Sequence, residues 1–297
     1  MRKFLVLTVV VPVLGAAVFF ALTRPAKVDP AMFAVLSGDA GRGEMVFHAA
    51  GCGSCHMAPR AEGDARLVLS GGQEFPSPFG TFKAPNISPS PEGIAGWSVV
   101  DLGNAMLHGT SPEGQHYYPA FPFVSYGHAS AQDIVDLHAY LQTLPPSDTP
   151  SLPHEIGFPF NIRATLGGWK MLFGANPEWV IDAPDLTDAE QRGRYLVEGL
   201  GHCGECHTPR NVLGGPDRTR WLAGGPDPSG KGRIPNITPA RLDWAQVDIA
   251  AYLTTGFTPD YDSVGGHMAL VVASYARLPE SDRMAVAAYL GRVTAVD

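Results

Sequence analysis

Two copies of one short pattern constrain this chain more than anything else in it. Cys52-Gly53-Ser54-Cys55-His56 and Cys203-Gly204-Glu205-Cys206-His207 contain all four cysteines. C-x-x-C-H is the attachment pattern of c-type haem. Two thiols two residues apart on a turn of helix add to the two vinyl groups of one porphyrin. The histidine directly after them presents its imidazole to the iron. The residues therefore predict two covalently bound haem c groups, on Cys52 and Cys55 and on Cys203 and Cys206. His56 and His207 are the predicted proximal iron ligands.

Competing uses of such cysteines are weaker. A four-cysteine zinc site leaves the two added histidines unexplained. A thioredoxin-like pair needs a βαβ setting that the sequence lacks. A structural disulfide across C-x-x-C does not explain two copies with histidine attached.

The context of the motifs repeats too. Pro85-Asn86-Ile87-Ser88-Pro89 matches Pro235-Asn236-Ile237-Thr238-Pro239, and Trp97 with Asp101 matches Trp244 with Asp248. Asp133 through Leu141 matches Asp282 through Leu290. The order is kept at an offset of about 150 residues, too long for a solenoid repeat. The chain reads as a duplicated all-α domain, at 36–146 and 185–297, with three helices in each copy. Thr187-x-x-Glu190 and Ser98-x-x-Asp101 are capping boxes at helix starts. The Gly/Pro stretch 69–91 cannot be regular helix and is predicted to wrap a haem edge. Residues 147–184 are a linker whose aromatic residues predict packing across the copies, with a short helix at 162–173.

Ahead of the repeats, Arg2 and Lys3 precede an uncharged stretch at 4–22. Nineteen helical residues at 1.5 Å each nearly match a hydrocarbon core of about 30 Å. Residues 1–28 are therefore predicted to be one N-terminal transmembrane helix. The basic flank would lie inside and the haem domains outside, in the periplasm of a bacterial inner membrane. An uncleaved anchor is favoured over a cleaved signal peptide because no A-x-A site closes the run. Net charge is −8, which excludes nucleic acid as a partner, since phosphate binding needs a basic face.

With both C-x-x-C-H motifs, His207-Thr208-Pro209-Arg210, both Pro-Asn-Ile segments and Tyr118-Pro119-Ala120-Phe121-Pro122-Phe123, the sequence resembles the membrane-anchored multihaem cytochrome c subunits of bacterial periplasmic dehydrogenases. The resemblance implies two tandem class I cytochrome c-like domains. It implies transfer of electrons from a dehydrogenase catalytic subunit, or from quinol, to a respiratory acceptor, without catalysis by the chain itself. Members that serve sugar or alcohol dehydrogenases often carry three haem modules, and this chain has two. The resemblance also places Met268 as the distal ligand of haem two, with His267 its neighbouring competitor. For haem one the corresponding stretch at 125–130 has no methionine. His128 is adjacent to the expected place and is the predicted distal ligand, with His108, His116, His138 or an open site as the alternatives. Met ligation raises potential relative to bis-His, so haem one would be the entry site. A dihaem enzyme, such as a peroxidase or a sulfur-compound-oxidising cytochrome, is the alternative, and an oxidase subunit is a third reading.

Overall fold

In the computed structural model the chain is described over residues 2–174, 178–230 and 232–297, with side chains from residue 10 onward. Helix α1 spans Arg2–Leu22. Copy one then holds α2 (Ala40–Ala49), α3 (Cys52–His56), β1 (Glu74–Ser77), β2 (Gly80–Lys83), α4 (Val99–His108), α5 (Phe123–Tyr126) and α6 (Ala131–Leu141). The linker contributes β3 (Glu155–Ile156) and α7 (Leu166–Phe173). Copy two holds α8 (Asp188–Arg194), a π turn at Tyr195–Leu200, α9 (Cys203–His207), β4 (Gly225–Pro226), β5 (Arg233–Ile234), α10 (Gln246–Thr255), α11 (Met268–Tyr275) and α12 (Glu280–Leu290).

The expectation of a purely α-helical chain behind a transmembrane helix is corrected. Among the described residues no helix is long and apolar enough to cross a membrane. Helix α1 ends docked on copy one. Thr23 is buried, its carbonyl bonds His116 Nε2 at 2.9 Å, and its side chain packs against Gly167 in α7. The 69–91 stretch holds no helix. It carries β1 and β2, an antiparallel hairpin that β3 extends from the linker in the order β1-β2-β3.

Each copy is closed by its first and last helices. α2 packs on α6, and α8 on α12. They approach closely because of glycine: a Cβ on Gly43 would lie 2.0 Å from the Asp136 carbonyl oxygen, and one on Gly193 would lie 1.9 Å from that of Ala285. A forked arginine beside each glycine locks the crossing. Arg42 donates to Asp136 at 2.7 and 2.8 Å, and Arg192 to Asp282 at 2.9 and 2.7 Å. Both capping boxes form, at α4 and α8. Left-handed Gly109 and Gly256 end α4 and α10. One apolar core runs through both copies, from Phe47, Leu69 and Ile134 through Tyr126 and Leu200 to Tyr275 and Tyr289. The linker lies on both: Asn86 of copy one binds its carbonyls, and Glu198 of copy two binds its amides.

Candidate functional site

The two C-x-x-C-H segments fold alike. Each is a single helical turn entered through a left-handed residue, Gly51 (φ 62°) before α3 and His202 (φ 40°) before α9. Such a turn puts cysteines three apart and the next histidine on one side of the helix. No disulfide joins the four cysteines. Before haem is attached, burial pushes the thiols of Cys52 and Cys203 up to about 12 and that of Cys55 up to about 11. No group of three or more His, Cys, Asp or Glu side chains comes together as a metal site among the described residues.

Sequence reading missed what orients the histidines. His56 Nδ1 lies 2.9 Å from the Pro85 carbonyl oxygen, and His207 Nδ1 lies 2.9 Å from that of Pro235. A carbonyl only accepts, so Nδ1 carries the proton and Nε2 keeps its lone pair for an iron. Burial lowers the pKa of both rings, which keeps them neutral, while the proline carbonyl opposes it. A second-sphere acceptor of this kind fixes tautomer and ring direction.

The asparagine of each Pro-Asn-Ile segment secures that carbonyl. Asn86 Nδ2 donates to the Ser147 and Thr149 carbonyls at 2.8 Å each, and its Oδ1 accepts from Ser88 N at 2.8 Å. Asn236 repeats this with the Val296 carbonyl at 2.6 Å and Thr238 N at 2.8 Å. A glycine lets each loop close on its motif. Gly71 N donates to the His56 carbonyl at 2.7 Å and Gly224 N to that of His207 at 2.6 Å, both at left-handed φ.

The motif helices of the two copies also meet. Ser54 Oγ lies 3.5 Å from Ser274 Oγ and from the Leu270 carbonyl in α11. Reciprocally, Ser125 Oγ of α5 donates to Glu205 Oε1 at 3.3 Å. Tyr126 sets its ring edge-on to His202 at 5.5 Å and donates to the Ala50 carbonyl at 2.8 Å. Each copy thus supplies a Ser-Tyr pair, Ser125-Tyr126 or Ser274-Tyr275, whose serine touches the other copy's motif.

No protein-family model matches the chain. It is 59% identical over 298 residues to a diheme cytochrome c-type protein of Cereibacter sphaeroides, covering 100% of both chains. The chain belongs to the dihaem c-type cytochromes. The cytochrome is also 37% identical over 260 residues to the fructose dehydrogenase cytochrome subunit of Gluconobacter japonicus, covering 86% of this chain and 52% of that one. It is 35% identical over 262 residues to the cytochrome c subunit of the alcohol dehydrogenase (quinone) of Gluconacetobacter polyoxogenes, covering 84% of this chain and 54% of that one. The cytochrome thus spans about half the length of these two dehydrogenase subunits. As a c-type cytochrome it carries covalently bound haem and serves electron transfer. The paired thiols, and imidazoles held by Nδ1 with Nε2 free, fit that group in both copies.

Candidate distal residues are placed differently from one another. Met268 opens α11, half-buried on the copy-two core. His267 beside it stacks on Phe75 of the copy-one hairpin at 5.7 Å. His128 lies against Trp179 of the linker, ring centroids 3.7 Å apart, and its Cβ faces Gly199 of the π turn. Its side-chain neighbours come from the linker and copy two. Two other histidines are engaged elsewhere, His138 with the Trp97 carbonyl and His116 with that of Thr23. Arg210 is tied to the Glu205 carboxylate and to the Gly214 carbonyl at 2.7 Å.

Proposed function

We propose that the chain is a two-haem relay that accepts electrons from a dehydrogenase catalytic subunit and delivers them to a respiratory acceptor. The observation that carries this reading is the pairing of two equivalent C-x-x-C-H helices, each histidine held by a Pro-Asn-Ile carbonyl, across one packed interface. Cys52 and Cys55 would hold one haem and Cys203 and Cys206 the other, with His56 and His207 as proximal ligands. Bound haem supplies a one-electron iron couple.

The protein's part is to orient and insulate. Pro85 and Pro235 hold the imidazoles in one tautomer. Tyr126 and Tyr275 exclude water between the copies, both being buried. Met268 is the proposed distal ligand in copy two. In copy one the stack on Trp179 engages His128, and we read His128 as an interface residue there. The relatives named for dehydrogenases support the donor, and the basic flank followed by an apolar run, the pattern of an export segment, supports a periplasmic setting.

Mass spectrometry of the mature protein should find two haem adducts, and a copurifying dehydrogenase given its substrate should reduce both. Retention of neither adduct, or no reduction by any copurifying enzyme, defeats the reading. A dihaem peroxidase is the second reading, favoured by the engagement of His128 away from a ligand role. High-spin iron with peroxide turnover would select it.

A further inference from the structure

The two copies differ by one residue between two features that they share. The interval from Gly43 to Cys52 is one residue shorter than that from Gly193 to Cys203. Both glycines mark the same helix crossing, and both cysteines open the same motif helix. In an uninterrupted α-helix one added residue rotates the rest of the helix by roughly 100° and advances it by about 1.5 Å. That would carry His207 away from Pro235, yet His56 and His207 make the same 2.9 Å contact. The extra residue is absorbed upstream, in the π turn Tyr195–Leu200, where Gly201 N donates five residues back to the Leu196 carbonyl at 2.6 Å. Copy one has regular α-helix there, over Ala40–Ala49.

The bulge leaves the copy-two site unchanged, so its effect must be sought on the face it pushes outward. That face meets copy one. Tyr195 Oη donates to the Asp133 carboxylate and accepts from Ser130 N at 2.9 Å, both at the start of α6. A Cβ on Gly199 would stand 3.3 Å from His128 Cβ, and α5 packs on the same turn. The Arg192–Asp282 pair has no copy-one equivalent at Asp133, the counterpart of Asp282, because Arg42 uses Asp136 one turn on; Asp133 takes Tyr195 instead. Past the turn, His202 sits against Tyr126, and α9 then begins, carrying Glu205 against Ser125. π turns inserted in α-helices are common at functional sites.

We propose that this π turn sets the spacing and orientation of the two haem-binding helices, with Tyr195 as its positioning residue, and so governs how fast charge passes between the haems. The inference rests on the two-haem relay reading. It is tested on the haem-loaded full chain by injecting one electron photochemically and following inter-haem equilibration, together with the spin–spin interaction of the two ferric irons. Tyr195→Phe should slow equilibration several-fold and weaken the spin interaction, with haem content and each haem's absorption spectrum unchanged. Deletion of Gly199, which restores copy-one spacing, should do so more strongly. If the deletion chain does not fold, Tyr195→Phe still decides. Tyr140→Phe in copy one should change neither readout. Wild-type rate and spin interaction in Tyr195→Phe overturn the inference while leaving the relay intact. Absence of inter-haem transfer in the wild type would instead defeat the relay reading itself.

Discussion

His128 lies flat on Trp179, with ring centroids 3.7 Å apart and planes 12° apart. Arg194 stands over the same indole at 4.5 Å. The stack joins copy one, the linker and copy two at one point, beside the π turn.

The stack makes a pH prediction. Burial, then Arg218 and Arg194, push the His128 pKa down to about 4 from an ordinary value of about 6.5. The folded state therefore favours neutral imidazole, and the unfolded chain binds the proton more readily. The contribution is full above the unfolded value and is lost as pH falls from about 6.5 to about 4. His128→Phe keeps the ring and removes the proton site. It should be more acid-stable than wild type by denaturant titration at about pH 5 relative to about pH 7.5, on either side of the unfolded value, with both haem spectra preserved. A changed low-spin spectrum in one haem would make His128 an iron ligand instead.

Met268 should behave otherwise. Exchange of a thioether ligand for imidazole lowers haem potential. Met268→His is expected to lower one of the two midpoint potentials in a redox titration and to leave the other in place. Two unmoved potentials would take Met268 out of the coordination sphere.

Much of this architecture is legible in the residues, and the illegible parts share a cause. The motifs, the duplication and both capping boxes depend on residue type, so Thr187, Glu190, Ser98 and Asp101 announce themselves. The Pro-Asn-Ile segments are visible as a repeat, but their role is not. It is performed by the backbone carbonyls of Pro85 and Pro235, and a carbonyl has no letter in the sequence. Strands of two to four residues, such as β1 to β5, are too short to show a period of two. Apolar content at 4–22 suggests a spanning helix, whereas the docking of Thr23 on His116 depends on a contact 93 residues away in sequence. The π turn does leave a trace, the unequal glycine-to-cysteine intervals, though only the structure shows where the added residue goes.

The glycines that close the Pro-Asn-Ile loops should not tolerate a side chain. Gly224 has φ 70°, and a Cβ on it would stand 2.6 Å from Ile234 O and Pro235 C, backbone atoms that cannot swing aside. Left-handed backbone alone costs a residue with a Cβ about 1–2 kcal/mol. Gly224→Ala should lose at least that much stability by denaturant unfolding, and Gly71→Ala should match it in copy one. Because the loop holds His207, Gly224→Ala should also broaden the absorption bands of haem two. Gly230→Ala is the control for a glycine at φ 77° with open space around its Cβ position: it meets the backbone cost without the clash. Equal losses for Gly224→Ala and Gly230→Ala would show that the close approach to Pro235 does not matter.

The two copies solve the same packing position with different chemistry, and the difference is measurable. In copy one Phe47 meets Tyr140 ring to ring at 5.2 Å. In copy two the tyrosine is Tyr289, and its hydroxyl donates to the buried carboxylate of Glu198, which also accepts from Val180 N and from Ile181 N at 3.1 Å. Burial raises the Glu198 pKa, while those three donors and Arg194 oppose it. A buried polar group that loses a partner costs about 1–3 kcal/mol. Tyr289→Phe should therefore destabilise the haem-loaded protein by about that amount, whereas Tyr140→Phe, whose ring faces Phe47, should be nearly neutral. Since Glu198 grips the linker, Tyr289→Phe should also speed proteolysis between the copies. Equal denaturant midpoints for the two variants would mean that the Glu198 carboxylate gains nothing from the tyrosine hydroxyl.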